Sequence, residues 1–154
     1  MITDESLNKK SKTLTDQYCP PAVDNITDVL IMVIEFAQAR QKVLANNIRL
    51  ADAPDFVPSD LPCKQFAAVL NIALDEHIEN SRLLLADTEN ISFLTSGRFE
   101  IKPVTDERAQ RLLRCSREKY IHFQVEKIVE NAMNQRFAAQ LIRQKQQSPA
   151  NLDS

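Results

Sequence analysis

Gly97 is the only glycine in this chain of 154 residues, and that scarcity restricts the backbone more than any other feature. Tight hairpins and phosphate-cradling loops need backbone at positive φ, which glycine adopts without steric cost. A chain with one such residue is expected to be built from helices joined by longer connections. At this length it makes one ordinary domain at most. Its hydrophobic content of 44% lies within the globular range, so a core can be buried.

Two long helical patterns carry most of the apolar residues. Asp24 is suited to cap the first, which runs to about Leu50 or Ala51. Within it Leu30, Ile34, Ala37, Gln41, Leu44, Ile48 and Ala51 are spaced 4-3-4-3-4-3, the repeat of a coiled-coil seam. Val29, Val33, Phe36 and Val43 widen that face beyond what one neighbour would cover. Ile121, Val125, Ile128, Ala132, Gln135, Ala139 and Ile142 repeat the same spacing near the C-terminus. Each seam holds one glutamine near its middle, suited to setting register, and the alanines allow close approach. The expected fold is mainly α, with long N- and C-terminal helices pairing as a coiled coil in either direction.

Between them, Pro54, Pro58 and Pro62 block a continuous helix, so 52–63 reads as an extended strap anchored by Phe56 and Leu61. The middle, 64–104, is expected to be small and variable. It opens with a helix from Lys64 towards Leu85, bearing Phe66, Val69, Leu70, Ala73 and Leu74 on one face. Alternation on either side of Thr95-Ser96-Gly97 predicts a two-stranded hairpin. The last helix is expected over 105–145, capped by Thr105 or Asp106. Polar tails over 1–23 and 146–154 are expected to be disordered.

The chemistry of catalysis is not evident. His77 and His122 lack a helical histidine partner, the serines lack a paired base, and one glycine cannot build a phosphate loop. Asp75, Glu76, His77 and Glu79 read as an acidic patch on an exposed helix rather than a metal site. Cys19, Cys63 and Cys115 are odd in number and scattered, which points to free thiols. A formal net charge of −2 gives no reason to expect nucleic acid, and the arginines of 107–119 lie among glutamates. The longest apolar run, Val29 to Ile34, is too short to span a bilayer. No basic start followed by an apolar stretch is present, so a cleaved secretory signal is not expected. No cofactor, no metal and no enzymatic activity are expected.

Val43 to Leu61 carries a family resemblance. Leu44, Ala45, Asn46, Asn47, Ile48, Ala51 and Pro54 match, in one register, the Leu-Ala-Asn-Asn-Ile-Ala-Asn-Ala-x-Thr-Pro-Gly-Tyr signature of bacterial flagellar axial proteins. Asp52 and Ser59-Asp60-Leu61 make it most similar to the proximal rod proteins of the basal body, the FlgB family. Arg49, Leu50, Ala53, Asp55 and Phe56 depart from that signature. At 55, where the family has glycine, aspartate is among the less penalised substitutes at positive φ. A second block resembles the family's C-terminal helix through Lys127, Glu130-Asn131, Gln140-Leu141-Ile142 and Lys145. The family's Asp-Gly-Asn turn and apolar C-terminal end are absent.

The resemblance implies a structural subunit that polymerises through its terminal helices into the rod, in the periplasmic part of the basal body. It implies as partners further copies of this chain, other rod proteins and the flagellar type III export apparatus. Residues 1–23 would then serve as an uncleaved export signal. The expected subunit-interface residues are the two seams together with Asn46, Asn47, Pro54, Phe56, Asn131 and Leu141. A cytosolic helical-bundle adaptor holding a partner helix in a groove is the alternative.

Overall fold

The computed structural model describes residues 25–95 and 97–148. The expected tail over 1–23, the Asp24 cap, Cys19, Ser96 and residues 149–154 lie outside them. The elements in chain order are α1 (Asn25–Arg49), β1 (Ser59–Asp60), α2 (Cys63–Asn80), β2 (Ile91–Phe93), β3 (Phe99–Ile101), β4 (Val104–Thr105), α3 (Glu107–Cys115) and α4 (Arg117–Gln147). The fold is mainly helical, as the shortage of glycine requires.

The axis of the molecule is the contact between α1 and α4, which lie side by side and run antiparallel. Asn47, near the end of α1, meets Gln124 in the first part of α4, and Ala37 meets Asn131 further along. On one flank of this pair, α2 and the β2–β3 hairpin complete an apolar core. Phe36 stacks on Phe66 with ring centroids 4.1 Å apart, and Phe66 leads on through Phe99 to Phe93. Ile91 is fully buried beside them. The aromatic residues of all three elements thus form one continuous cluster, in which offset rings attract beyond the area they bury.

The hairpin pairs Ile91 with Ile101, Ser92 with Glu100 and Phe93 with Phe99. Gly97 stands in its turn at φ 75°, the left-handed conformation for which the lone glycine is suited. Before it, the Thr88 hydroxyl accepts from the Ile91 N–H and donates to Gln65 on α2.

Three boundaries differ from expectation. The second helix ends at Asn80 rather than near Leu85, because Ser81 turns left-handed at φ 56° and its N–H closes on the His77 carbonyl. The C-terminal helix is two helices. Ser116 is extended, its N–H closing α3 on Leu112 while its hydroxyl accepts from the Lys119 N–H to open α4. One serine can do both because a C-cap needs a donor and an N-cap an acceptor. Of the polar tail expected from 146, Gln146 and Gln147 are helical.

The segment after α1 also differs from a simple extended strap. Successive turns run from Leu50 to Phe56, with the Ala53 N–H on Leu50 and the Phe56 N–H on Ala53. Only then does the chain extend, and Ser59–Asp60 pairs antiparallel with Val104–Thr105. Pro58 is buried, and its carbonyl accepts from the Asp106 N–H. The segment therefore ties the end of α1 to the start of α3.

Candidate functional site

The end of α1, the segment after it and the first half of α4 meet in a junction that is mostly polar. Asn47 stands at its centre and is 1% exposed. Its amide donates to the Ser59 carbonyl (2.7 Å) and to Gln124 Oε1 (3.0 Å), and its Oδ1 accepts from the Ser59 N–H (3.2 Å). Ser59 is held as a neighbouring strand residue would be, donor and acceptor both matched. The Tyr120 hydroxyl donates to the Asn47 carbonyl at 2.8 Å. Tyr120 and Gln124 are both fully buried. Burial, aided by the negative charge of Asp106, pushes the Tyr120 phenol up to about 12.

One turn further along lies a cluster of four charges. Arg40 grips Asp60 with two parallel bonds, Nε to Oδ1 at 2.9 Å and Nη2 to Oδ2 at 3.0 Å. Lys127 donates to Asp60 Oδ2 at 2.8 Å and also to Asp106. Asp106 in turn caps α3, accepting from the Ala109 N–H at 2.9 Å. Two cations and two carboxylates balance, and each carboxylate also accepts a backbone N–H. Burial alone would push the Asp60 carboxyl up, but the bonds from Arg40 and Lys127 outweigh it and hold the carboxyl below its ordinary range. Burial likewise works against the Arg40 cation, and the bond to Asp60 overrides it, leaving the pKa raised. The Lys127 ammonium also lies 4.6 Å from the centre of the Phe123 ring. Beside the cluster, burial pushes the Cys63 thiol up, which keeps it protonated and unreactive.

Asn131 completes the line. Its amide donates to the Ala37 carbonyl at 2.7 Å, with Gln41 Oε1 at 3.5 Å. The side of α4 that meets α1 is therefore Tyr120, Gln124, Lys127, Asn131 and Ala138, at 4-3-4-7 spacing.

That line corrects the expected seam by one residue. Asn47, Asn131, Leu44 and Ala37, expected at an interface between subunits, are buried within the chain. The expected α4 seam instead lies beside the contact: Ile121, Ile128, Gln135, Ala139 and Ile142 are half-buried, while Val125 and Ala132 are exposed. On α1, Leu30, Ile34, Gln41 and Ile48 are likewise half-buried, as is Ala51 in the turns that follow. Pro54 is exposed, Phe56 and Leu141 are half-buried, and Asn46 is half-buried, accepting from Arg49. The sequence reading missed Arg40, Tyr120 and Gln124, and gave Asp60, Lys127 and the capping residue Asp106 no part in such a cluster, because it followed apolar residues and the contact is polar. The signal was present in Gln124, Lys127 and Asn131, which keep helical spacing with Arg40 and Asn47 opposite.

Three of the basic residues around α3 find partners. Arg117 holds Asp52 with two bonds, 2.8 and 2.9 Å, Arg108 lies over Phe123, and Arg111 faces Glu107. The His77 ring is hydrogen-bonded to Asn25. Cys63 and Cys115 are free thiols. Among the described residues no group of three acidic, histidine or cysteine side chains is placed to hold a metal ion. No described helix is long and apolar enough to cross a membrane. Comparison with protein-family models, with curated proteins and with solved structures returns no match.

Proposed function

We propose that this chain is a structural subunit of the proximal-rod type, which polymerises through paired terminal helices into the shaft of the bacterial flagellar basal body. The observation that carries the reading is the place of Asn47. It is the second asparagine of the Leu-Ala-Asn-Asn-Ile block, and it fastens the segment after α1 by two hydrogen bonds to Ser59 and α4 by a third to Gln124. Asn131, from the second matched block, bonds α4 to α1. Asp55 stands at φ 59° where the rod signature has glycine. Residues from both blocks thus occupy positions where their side-chain chemistry or backbone conformation matters.

In this reading α1 and α4 act as a coiled-coil pair with a polar inner line. The segment 52–63 is the proline-rich strap that reaches neighbouring subunits, through exposed Pro54 and Val57. Copies of this chain and other rod proteins cover the half-buried seam residues by directional contacts that propagate rather than close. The work is mechanical, with no catalysis, no cofactor and no nucleic acid. The protein would reach the periplasmic rod through the type III export apparatus, without a cleaved signal peptide or insertion into the membrane.

One observation favours a second reading, an adaptor that holds a partner helix. Phe66 and Leu70 of α2 face Phe137 and Leu141 of α4 across a groove of about 400 Å³, floored by Leu30 and Val33 of α1. Backbone hydrogen exchange separates the two. Fast exchange across α1 and α4 in dilute monomer, turning to protection with rod partners, supports the rod subunit. Full protection in the monomer, unchanged by those partners, favours the adaptor.

A further inference from the structure

The two outer edges of the β2–β3 hairpin are finished differently. The Leu94 N–H donates to the Arg98 carbonyl at 2.7 Å and the Lys102 N–H to the Asn90 carbonyl at 2.9 Å. The even-numbered residues therefore bond across the hairpin, and Ile91, Phe93, Phe99 and Ile101 turn their backbone groups outward. On β2 the outward groups are covered. The Ile91 N–H reaches the Thr88 hydroxyl at 3.1 Å, and its carbonyl accepts from the Thr88 N–H at 2.8 Å. The Phe93 N–H reaches the Asp87 carboxylate at 2.8 Å. On β3 the N–H and carbonyl groups of Phe99 and Ile101 find no partner among the described residues. An edge left open in this way is a template for one more strand.

Beside that edge lies a groove of about 420 Å³. Phe99, Ile101 and Pro103 form one wall, Ala39 and Val43 of α1 with Leu61 form the other, and no residue of β2 reaches it. Glu35 and Lys42 stand on its rim, both exposed. We propose that β3 and this groove bind an extended peptide segment of another protein, added to the hairpin as a third strand. Its backbone meets the four open groups of Phe99 and Ile101. Side chains alternate along a strand, so every second residue of the segment points into the groove. The segment that fits has an apolar residue there, flanked two positions away by a basic residue for Glu35 and an acidic one for Lys42. Those flanking residues lie about 13 Å apart along a strand, and Glu35 and Lys42 about 10 Å apart along α1, a difference that long side chains absorb.

The open backbone groups select the occupant. A helix bonds its own backbone, so a helix laid here would bury the Phe99 and Ile101 groups unpaired, at the cost of their lost hydration. An extended backbone offers donors and acceptors in the spacing they require. The site thus differs in kind from the groove between α2 and α4, whose walls are helices. Pro103 has no N–H and ends the edge, so the added strand pairs over few residues. Binding is accordingly weak and reversible, with a Kd of roughly 0.1–1 mM. The inference goes beyond the rod reading and does not rest on it.

Titration of the full chain with the end-blocked peptide Thr-Lys-Thr-Ile-Thr-Glu-Thr, followed by amide NMR and hydrogen exchange, tests it. The Phe99 and Ile101 amides exchange fast in the free chain and slow about tenfold or more near saturation. Replacing the peptide's Lys and Glu by glutamine weakens binding about threefold or more. N-methylating one alternate set of its residues abolishes binding and methylating the other set leaves it, because alternate residues bond towards opposite edges. Ala39→Glu, which fills the groove, weakens binding about tenfold, whereas Ile72→Glu, on exposed α2 surface, leaves it unchanged. Circular dichroism establishes that both variants fold, and the methylated peptides decide the matter if Ala39→Glu does not. Phe99 and Ile101 amides already slow in the free chain would mean that another segment or a second copy covers the edge, and would overturn the proposal. So would no binding at millimolar peptide, equal effects of the two methylated sets, or protection confined to α2 and α4.

Discussion

Replacing Asp60 by asparagine keeps the shape of the side chain and removes its charge. The carboxylate accepts two bonds from Arg40, one from Lys127 and one from the Leu61 N–H. An asparagine turns an NH2 group towards donors and leaves the Arg40 guanidinium buried without its counter-charge. Breaking a buried pair in this way costs about 3–5 kcal/mol. Lys127 keeps Asp106, which places the expected loss near the lower end, about 3 kcal/mol. For a domain of this size that corresponds to a fall in Tm of roughly 6–12 °C. The pH dependence provides a second readout. The Asp60 carboxyl is held below its ordinary value of 3.8. Its contribution is therefore present above that value and lost as pH falls through the lower folded one. Asp60→Asn should lower stability at neutral pH and flatten the loss on acidification below pH 4. Urea unfolding followed by circular dichroism, at neutral and acid pH, measures both. A cost under about 1 kcal/mol, with an unchanged acid limb, would mean the cluster behaves as a solvent-screened surface pair, and the reasoning would fail.

Asn47→Asp keeps an acceptor for the Ser59 N–H but loses both donated bonds. It should cost about 1–3 kcal/mol, with faster amide exchange at 59–61 as the specific sign. Asp55→Gly relieves the positive φ and should raise stability by up to about 1 kcal/mol, whereas Asp55→Val should lower it by a similar amount or more. Paired thermal melts give the comparison. Tyr120→Phe should cost about 1–2 kcal/mol, since the buried Asn47 carbonyl loses a donor. In the wild type, ultraviolet titration should show a phenol near 12 rather than 10, with stability declining as pH rises above 10. A Tyr120→Phe protein that keeps that late titration would refute the assignment.

The helices were legible in the sequence because apolar residues recur at helical spacing, and the hairpin because Gly97 sits between two alternating runs. The face of each helix was less legible. Ile121, Val125 and Ile128 form a better apolar stripe than Tyr120, Gln124 and Lys127, yet the latter face α1. The reason is that polar side chains are stable inside when they find partners, as those of this line do apart from Gln124 Nε2, and the partners come from distant positions. Asp60 and Asp106 are brought to Lys127 only once Ser59–Asp60 pairs with Val104–Thr105. Nor did propensity reveal the break at Ser116, where neither proline nor glycine marks it. Its mark is a hydroxyl that can cap, a property serine shows at many surface positions without ending a helix.

The polar line between α1 and α4 also decides how the pair responds to force. Apolar side chains attract with little regard to direction, so a greasy contact can slip by a turn and re-form. Hydrogen bonds and ion pairs are fixed in length and angle. Sliding α4 along α1 would strain the bonds of Tyr120, Gln124 and Asn131 to α1 together, and that of Lys127 to Arg40 by way of Asp60, before any could find a substitute. Bending the pair apart at one end would open them in turn. The two helices are thus stiff in shear and weaker in peeling.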